Sequence, residues 1–331
     1  MSASIIQARL DEEQRRIDKV IASVPRLPMF HADDKSAIFA QHLVRFTFQE
    51  LFRVEHEAAK WGTGELVPIV SNVHEGAQEV SYQEIESTGR AQIVADNATD
   101  LPRSDVKGKQ NLIPVKTAGC SFEYSEQEIA TAQMQGQYDI AIEKAQAARE
   151  AHDFSIHEWV RDGIPTAGLH GMTNAPGVLV MPAITGAWAS ATAVQIVADF
   201  SAAANAIINL SRGIERPNTA VFPTAAFTRI STMVFDTGNS SNVTVLDWLK
   251  KAYPEIATWT DEAGLDTAGT AGTSAVMIFR KDATKARVVM PLIMKVSPPQ
   301  QKGFTFIVPV RSRFAGVMAP KPRSICRLEN I

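Results

Sequence analysis

SEQEIATAQMQGQYDIAIEKAQAAREAHDFSIHEWVRD, residues 125–162, followed by GIPTAGLHGMTNAPGV, residues 163–178, is one helical pattern running into a glycine- and proline-rich joint. Ser125 with Glu128 forms a capping-box pair, a hydroxyl for an orphan N–H and a carboxylate reaching back to the chain. Ile129, Met134, Tyr138, Ala141, Ala145 and Ala148 then recur at helical spacing with Glu, Gln, Lys and Arg between them. Unbroken, such a helix has about 38 residues and is roughly 55 Å long. Gly163 and Pro165 stop it. Its apolar face is thin and alanine-rich, which suits a strut better than a core helix.

Around it, 331 residues suggest about two domains at ~150 residues each. A hydrophobic share of 45% is enough for a sizeable core. The net charge of −3 argues against electrostatic gripping of nucleic acid as the main task. Cys120 and Cys326 lie far apart, so neither a disulfide framework nor a cysteine zinc site is expected, and a reducing compartment is the simplest reading. The first 20 residues carry charges where a signal peptide needs an apolar run. The longest uncharged run, 163–198, is broken by prolines and glycines and is not a membrane span. A soluble protein is expected.

Residues 1–60 hold two helical patterns joined by VPRLPMFHADD. From Glu65 to Tyr124, strand-like runs flank DNATDLPRSDVKGKQN, which has almost nothing to bury. This predicts a long two-stranded excursion with a polar tip. Such a hairpin is marginal alone, so it should lie on another surface, a neighbouring subunit being the natural one. Residues 164–290 read as a compact α/β domain with helices at 191–210, 224–233 and 243–252, and strands at 218–223, 274–280 and 286–293. RVVMPLIMKV and GFTFIVPVRSRF close the chain as two strands, the second alternating with period two. Pro309 within it suggests an edge or a bulge.

The search for chemistry is negative: no catalytic, cofactor-binding or metal-binding residue is expected. His152 and His157 are five apart, unlike the two histidines of a HExxH helix. His74-Glu75 has no second histidine four residues on. No Gly-x-Ser-x-Gly elbow occurs, and Gly168, Gly171 and Gly177 match neither a Walker loop nor GxGxxG. The adjacent carboxylates Asp33-Asp34 and Asp261-Glu262 read as helix starts or solvated loops. Arg103, Lys107 and Lys109 stand beside Asp96, Asp100 and Asp105, a mixed patch suited to salt bridges between subunits rather than to nucleic acid.

The order of parts resembles the tailed-phage major capsid protein of the Hong Kong 97 type. Gly168-Leu169-His170-Gly171-Met172-Thr173-Asn174-Ala175-Pro176-Gly177-Val178 is similar to that family's Gly-Leu-(Leu/Ile/Thr)-Asn-x-Pro-Gly-Val segment. Pro298-Pro299-Gln300-Gln301-Lys302-Gly303, then Pro309, Arg313, Gly316-Val317 and Pro322, is similar to the closing hairpin of one subfamily. Ala315 stands where a glycine is usual, and Lys321-Pro322-Arg323 replaces Arg-Pro-Leu.

The resemblance implies an α+β capsid fold divided into an N-terminal arm (1–60), an extended E-loop (61–124), a P-domain spine helix (125–165), an A-domain (166–290) and closing P-domain strands with the C-terminus (291–331). It also implies a non-enzymatic shell subunit of the virion, assembled in the host cytoplasm without cofactor, metal or membrane. Its partners would be copies of itself in hexamers and pentamers of an icosahedral head, then portal, scaffold or decoration proteins, with packaged double-stranded DNA touched non-specifically. The namesake's covalent crosslink is not implied, because its lysine, asparagine and glutamate match no positions here. An encapsulin-like compartment shell is the alternative within the fold. A cytosolic α/β enzyme using Asn174 in a ligand loop is the alternative outside it.

Overall fold

The computed structural model describes residues 59–93, 103–135, 140–235 and 243–331. The helical patterns of residues 1–58, the Asp33-Asp34 pair and the tip of the excursion at 94–102 lie outside the described residues.

After the short strand β1 (Ile69–Val70), strands β2 (Glu79–Thr88) and β3 (Asp105–Pro114) pair antiparallel over all ten positions, from Glu79 opposite Pro114 to Thr88 opposite Asp105. They form a sheet of two strands only. Only its foot is packed, where Ile113 and Val115 join Val289, Ala315 and Met318 with Val80 and Tyr82 alongside. Strand β4 (Lys116–Ser125) leaves the excursion, although the sequence reading carried that region on to Tyr124. It pairs instead with a strand near the C-terminus (305–314) over ten residues, a partner that local patterning could not reveal.

The long helical stretch is described as α1 (Glu126–Gln135) and α2 (Ile140–Asp162). The expected capping box is present: the Ser125 N–H donates to Glu128 Oε2 (3.0 Å) and the Glu128 N–H to Ser125 Oγ (3.2 Å). One straight rod is not what forms. Lys144 Nζ lies 2.8 Å from Glu128 Oε2, yet residues 16 apart on one α-helix are separated by about 24 Å along its axis. The start of α1 therefore lies beside the start of α2. Lys144 also donates to the Glu123 carbonyl, so α2 begins against the end of β4.

The remaining elements in chain order are β5 (Leu179–Pro182), α3 (Ala193–Leu210), β6 (Thr219–Phe222), α4 (Thr224–Thr232), α5 (Val245–Ala252), β7 (Thr258–Asp261) and β8 (Ala275–Phe279). Then come β9 (Arg287–Val289), β10 (Leu292–Val296), β11 (Gln300–Lys302), β12 (Thr305–Phe314), β13 (Val317–Met318) and β14 (Ile325–Glu329). The run RVVMPLIMKV, expected as one strand, is two: β9 pairs with β1 and β13, whereas β10 pairs with β12. Pro291 separates them and cannot donate to a ladder.

The compact part is built on a sheet in the order β5-β14-β8-β6-β7. Its middle strands are buried on both faces, and alternation assigns each side chain to a layer. Ala220, Phe222, Val276 and Ile278 pack with Ile196, Phe200, Ala203, Ala204 and Ile207 of α3. Val221, Met277 and Phe279 face the other way onto Trp61, Leu66, Ile156 and Val160. Helix α3 is apolar and long enough by composition to cross a membrane, but its buried stripe is a core face of this sheet. A Thr192–Gln195 capping box starts it. Strand β14 lies inside this sheet, parallel to β5 and antiparallel to β8, so the chain returns from the closing strands to complete the central domain.

The second large sheet has β12 flanked by β4 on one side and by β10 and β11 on the other. Cys120, Phe122, Tyr124, Val308, Val310 and Ser312 share the face on which α2 lies, as the contacts of Cys120 Sγ with the Ala148 carbonyl and of His152 with Ser312 demonstrate. Pro309 is thus in a central strand rather than at an edge. Its carbonyl accepts from Ser297 N–H, just past the end of β10, so only the return bond to Ser297 is lost, and that falls in the gap between β10 and β11.

Candidate assembly surfaces

No group of three or more His, Cys, Asp or Glu poised to hold a metal occurs among the described residues. Three of the described histidines have structural partners. His152 Nε2 and Ser312 Oγ are 2.7 Å apart in the buried seam between α2 and β12. Burial holds the His152 imidazole below its ordinary pKa, with the Asp153 charge pulling weakly the other way. His74 Nδ1 accepts from the Gly76 N–H.

His157 is buried at the meeting point of three segments. Its Nδ1 accepts from the Trp61 N–H (3.4 Å), and its Nε2 lies 2.8 Å from Glu262 Oε1 at ion-pair distance without hydrogen-bond alignment. Asp261 and Glu262, expected at a helix start or in a solvated loop, sit at the end of β7. Asp261 faces Lys60 (3.2 Å), whose ammonium holds its carboxyl below the usual range against the opposing effect of burial. Glu262 is turned into the core. Alternate residues leaving β7 point to opposite sides, as adjacent carboxylates are expected to, but burial of Glu262 departs from the solvated loop expected of the pair.

The segment from Gly163 to Val178 is a braced joint. Gly163 has φ 72°, and a Cβ there would sit 2.5 Å from Gly171 N. The Asn174 amide uses both ends within this turn: Oδ1 accepts from the Gly171 N–H (2.7 Å) and Nδ2 donates to the Asp162 carbonyl (2.6 Å). Thr173 Oγ1 donates to the Arg161 carbonyl (2.9 Å). The side chain a ligand-loop reading would use is therefore occupied in joining the helix to the central domain.

An open apolar surface with no core of its own lies on the β2–β3 hairpin. Register places Val80, Tyr82, Glu84 and Glu86 opposite Ile113, Asn111, Lys109 and Lys107 on one face. Lys107 and Lys109 thus stand across from glutamates of their own hairpin, and the charges read as a tip lie along its length. The other face carries Ile85, Val106 and Leu112, which are 69%, 61% and 62% exposed. Charged residues hang over the body while the apolar ones face outward. That is the inverse of what a hairpin finished by its own chain would present.

The fold defines the class: a hairpin excursion, a spine helix on a β-sheet and a compact α/β domain make the Hong Kong 97-type capsid fold. The chain belongs to the major capsid protein family, whose model matches residues 89–331. No curated protein matches the sequence. Among solved structures it is similar to the capsid of Myoviridae phage XM1, with a TM-score of 0.76 and 18% identity, covering 88% of this chain and 98% of that one. A Mycobacterium phage Adephagia structure gives 0.62 at 14% identity, covering 90% and 98%. A virus-like particle from Pyrococcus furiosus gives 0.54 at 15%, covering 81% and 92%. The chain is a structural component of the virion capsid and not an enzyme.

Proposed function

We propose that this chain closes into hexamers and pentamers of an icosahedral head enclosing double-stranded DNA, and that the β2–β3 hairpin is a part only a neighbour can complete. The outward Ile85, Val106 and Leu112 carry this reading. Three large apolar side chains on one face of a two-stranded sheet lack a core of their own, and burying each contributes about 1.5–3 kcal/mol. Contacts repeated around closed symmetry multiply such modest terms. A net charge of −3 on 331 residues keeps mutual repulsion low when many copies pack.

The division of labour proposed is an arm at 1–60, an extended loop at 61–124, a spine at 125–165, a central domain at 166–290 and closing strands at 291–331. Portal, scaffold or decoration proteins are the partners such a head needs, and contact with packaged DNA is non-specific. Negative-stain microscopy of the purified chain, alone and co-expressed with its neighbouring gene products, tests the proposal. Regular shells or capsomers are expected. A monomer at every concentration and in every co-expression overturns it.

A further inference from the structure

The turn between β11 and β12 carries the most exposed aromatic ring among the described residues, Phe304, at 78% exposure. The turn has two central residues, Gly303 and Phe304, between the paired Lys302 and Thr305. Gly303 has φ 66°, the conformation that the first central position of a type II′ turn reserves for glycine. The tip is held in place, because the Phe304 carbonyl accepts from the Glu126 N–H at the start of α1 (3.1 Å). A rigid, exposed aromatic beside an exposed lysine has the character of an interface anchor.

At the foot of the β2–β3 hairpin lies a cavity of about 340 Å³. Its floor includes Pro176, Val317, Ala319 and Pro322, and its hairpin wall includes Tyr82 and Glu84. The volume is within the range of specific pockets. The apolar floor suits an aromatic side chain, while the hairpin wall is mixed: Lys109 stands across from Glu84, and Asn111 Nδ2 donates to Glu84 Oε1 (2.8 Å).

We propose that, in the shell, the Lys302–Phe304 tip of one copy seats in this cavity of the next copy. Phe304 enters over the proline floor, and Lys302 stays at the solvent-facing rim. The tip cannot fill its own cavity. It precedes β12 and Val317 follows it, and ten residues of strand span roughly 33 Å. A knob and a hole at opposite ends of one subunit make a head-to-tail contact, which closes into rings when the rotation permits. The proposal rests on the shell reading above.

The test places cysteines on both sides of the contact, in a Cys120→Ser background. Phe304→Cys is combined with Pro322→Cys or with Asn111→Cys, and assembled particles are treated with a short bismaleimide. Ladders of linked subunits are expected for both pairs, and none for Phe304→Cys with the distant, exposed Lys250→Cys. Phe304→Ala should lower particle yield at least tenfold with the thermal midpoint of the unassembled subunit unchanged. Normal particles with neither ladder overturn the proposal and leave the shell reading intact. Wild-type protein that forms no particle or capsomer fails the shell reading, and the proposal falls with it.

Discussion

His152 Nε2 and Ser312 Oγ meet at 2.7 Å in a seam where both residues are buried, tying α2 to the central strand of the spine sheet. Burial depresses the imidazole pKa below its ordinary 6.5, so the unfolded chain binds the proton more readily than the native one. The native state then gains from a neutral His152 above pH 6.5 and loses that gain as pH falls toward the depressed native value. Thermal midpoints of the unassembled subunit should decline below pH 6.5, and His152→Gln should flatten that part of the profile. Carboxylates held low by partners, Asp261 and Asp282, lose their contribution only in stronger acid, below their ordinary 3.8, so the two windows separate. An unchanged slope in the glutamine variant would refute the assignment.

The joint makes a sharper prediction. A Cβ at Gly171 would lie 2.3 Å from Gly163 N and 2.5 Å from the Arg161 carbonyl, both backbone atoms that cannot swing aside. Gly171→Ala must distort the turn, at a cost of order 1–3 kcal/mol or more. Gly108, on the hairpin, has no atom within 4 Å of the corresponding position, so Gly108→Ala should change stability by no more than about 0.5 kcal/mol. Urea midpoints and soluble yield compare the two directly. Equal midpoints would mean that the joint yields more easily than its geometry implies.

In the central domain, Phe222 stacks on Phe200 (5.8 Å) and Trp259 (6.0 Å) and touches Trp188 and Phe227. Its side chain is fully buried. Phe222→Ala removes the centre of this group and should cost about 3–5 kcal/mol. Phe222→Leu, which keeps most of the volume, should cost markedly less. Denaturant unfolding monitored by tryptophan fluorescence reads both. A loss below about 1 kcal/mol for the alanine variant would mean that the cluster collapses around the gap.

Much of this architecture was legible before any coordinates. Period-two alternation marks β12, apolar periodicity marks α3, and the polar run from Asp96 marks the excursion. Long-range partnerships were not legible. Nothing local in Lys116–Ser125 says that it pairs with Thr305–Phe314, and five residues at Ile325–Glu329 give no sign of lying inside the central sheet. The stretch from Ser125 reads as one rod because its caps and apolar spacing continue, although Gly136 and Asp139 are poor helix formers. The assembly surface was half visible. Composition showed that the excursion has no core, but only strand register places Ile85, Val106 and Leu112 on one face.

That shared face carries the prediction most specific to assembly. Ile85→Ser, Val106→Ser and Leu112→Ser together alter exposed positions with no hydrophobic cluster of their own chain around them. Surface changes of this kind move subunit stability little, so the thermal midpoint of the unassembled protein should stay within about 2 °C. In a shell each lost side chain forfeits up to about 1.5–3 kcal/mol of burial per contact, repeated in every subunit. The triple variant should therefore remain a folded, soluble subunit whose closed particles are absent in micrographs and in sedimentation profiles. Lys107→Ser on the opposite face serves as the control and should still assemble. If the triple variant unfolds, the outward face supports its own subunit. If it assembles normally, the neighbour does not use that face.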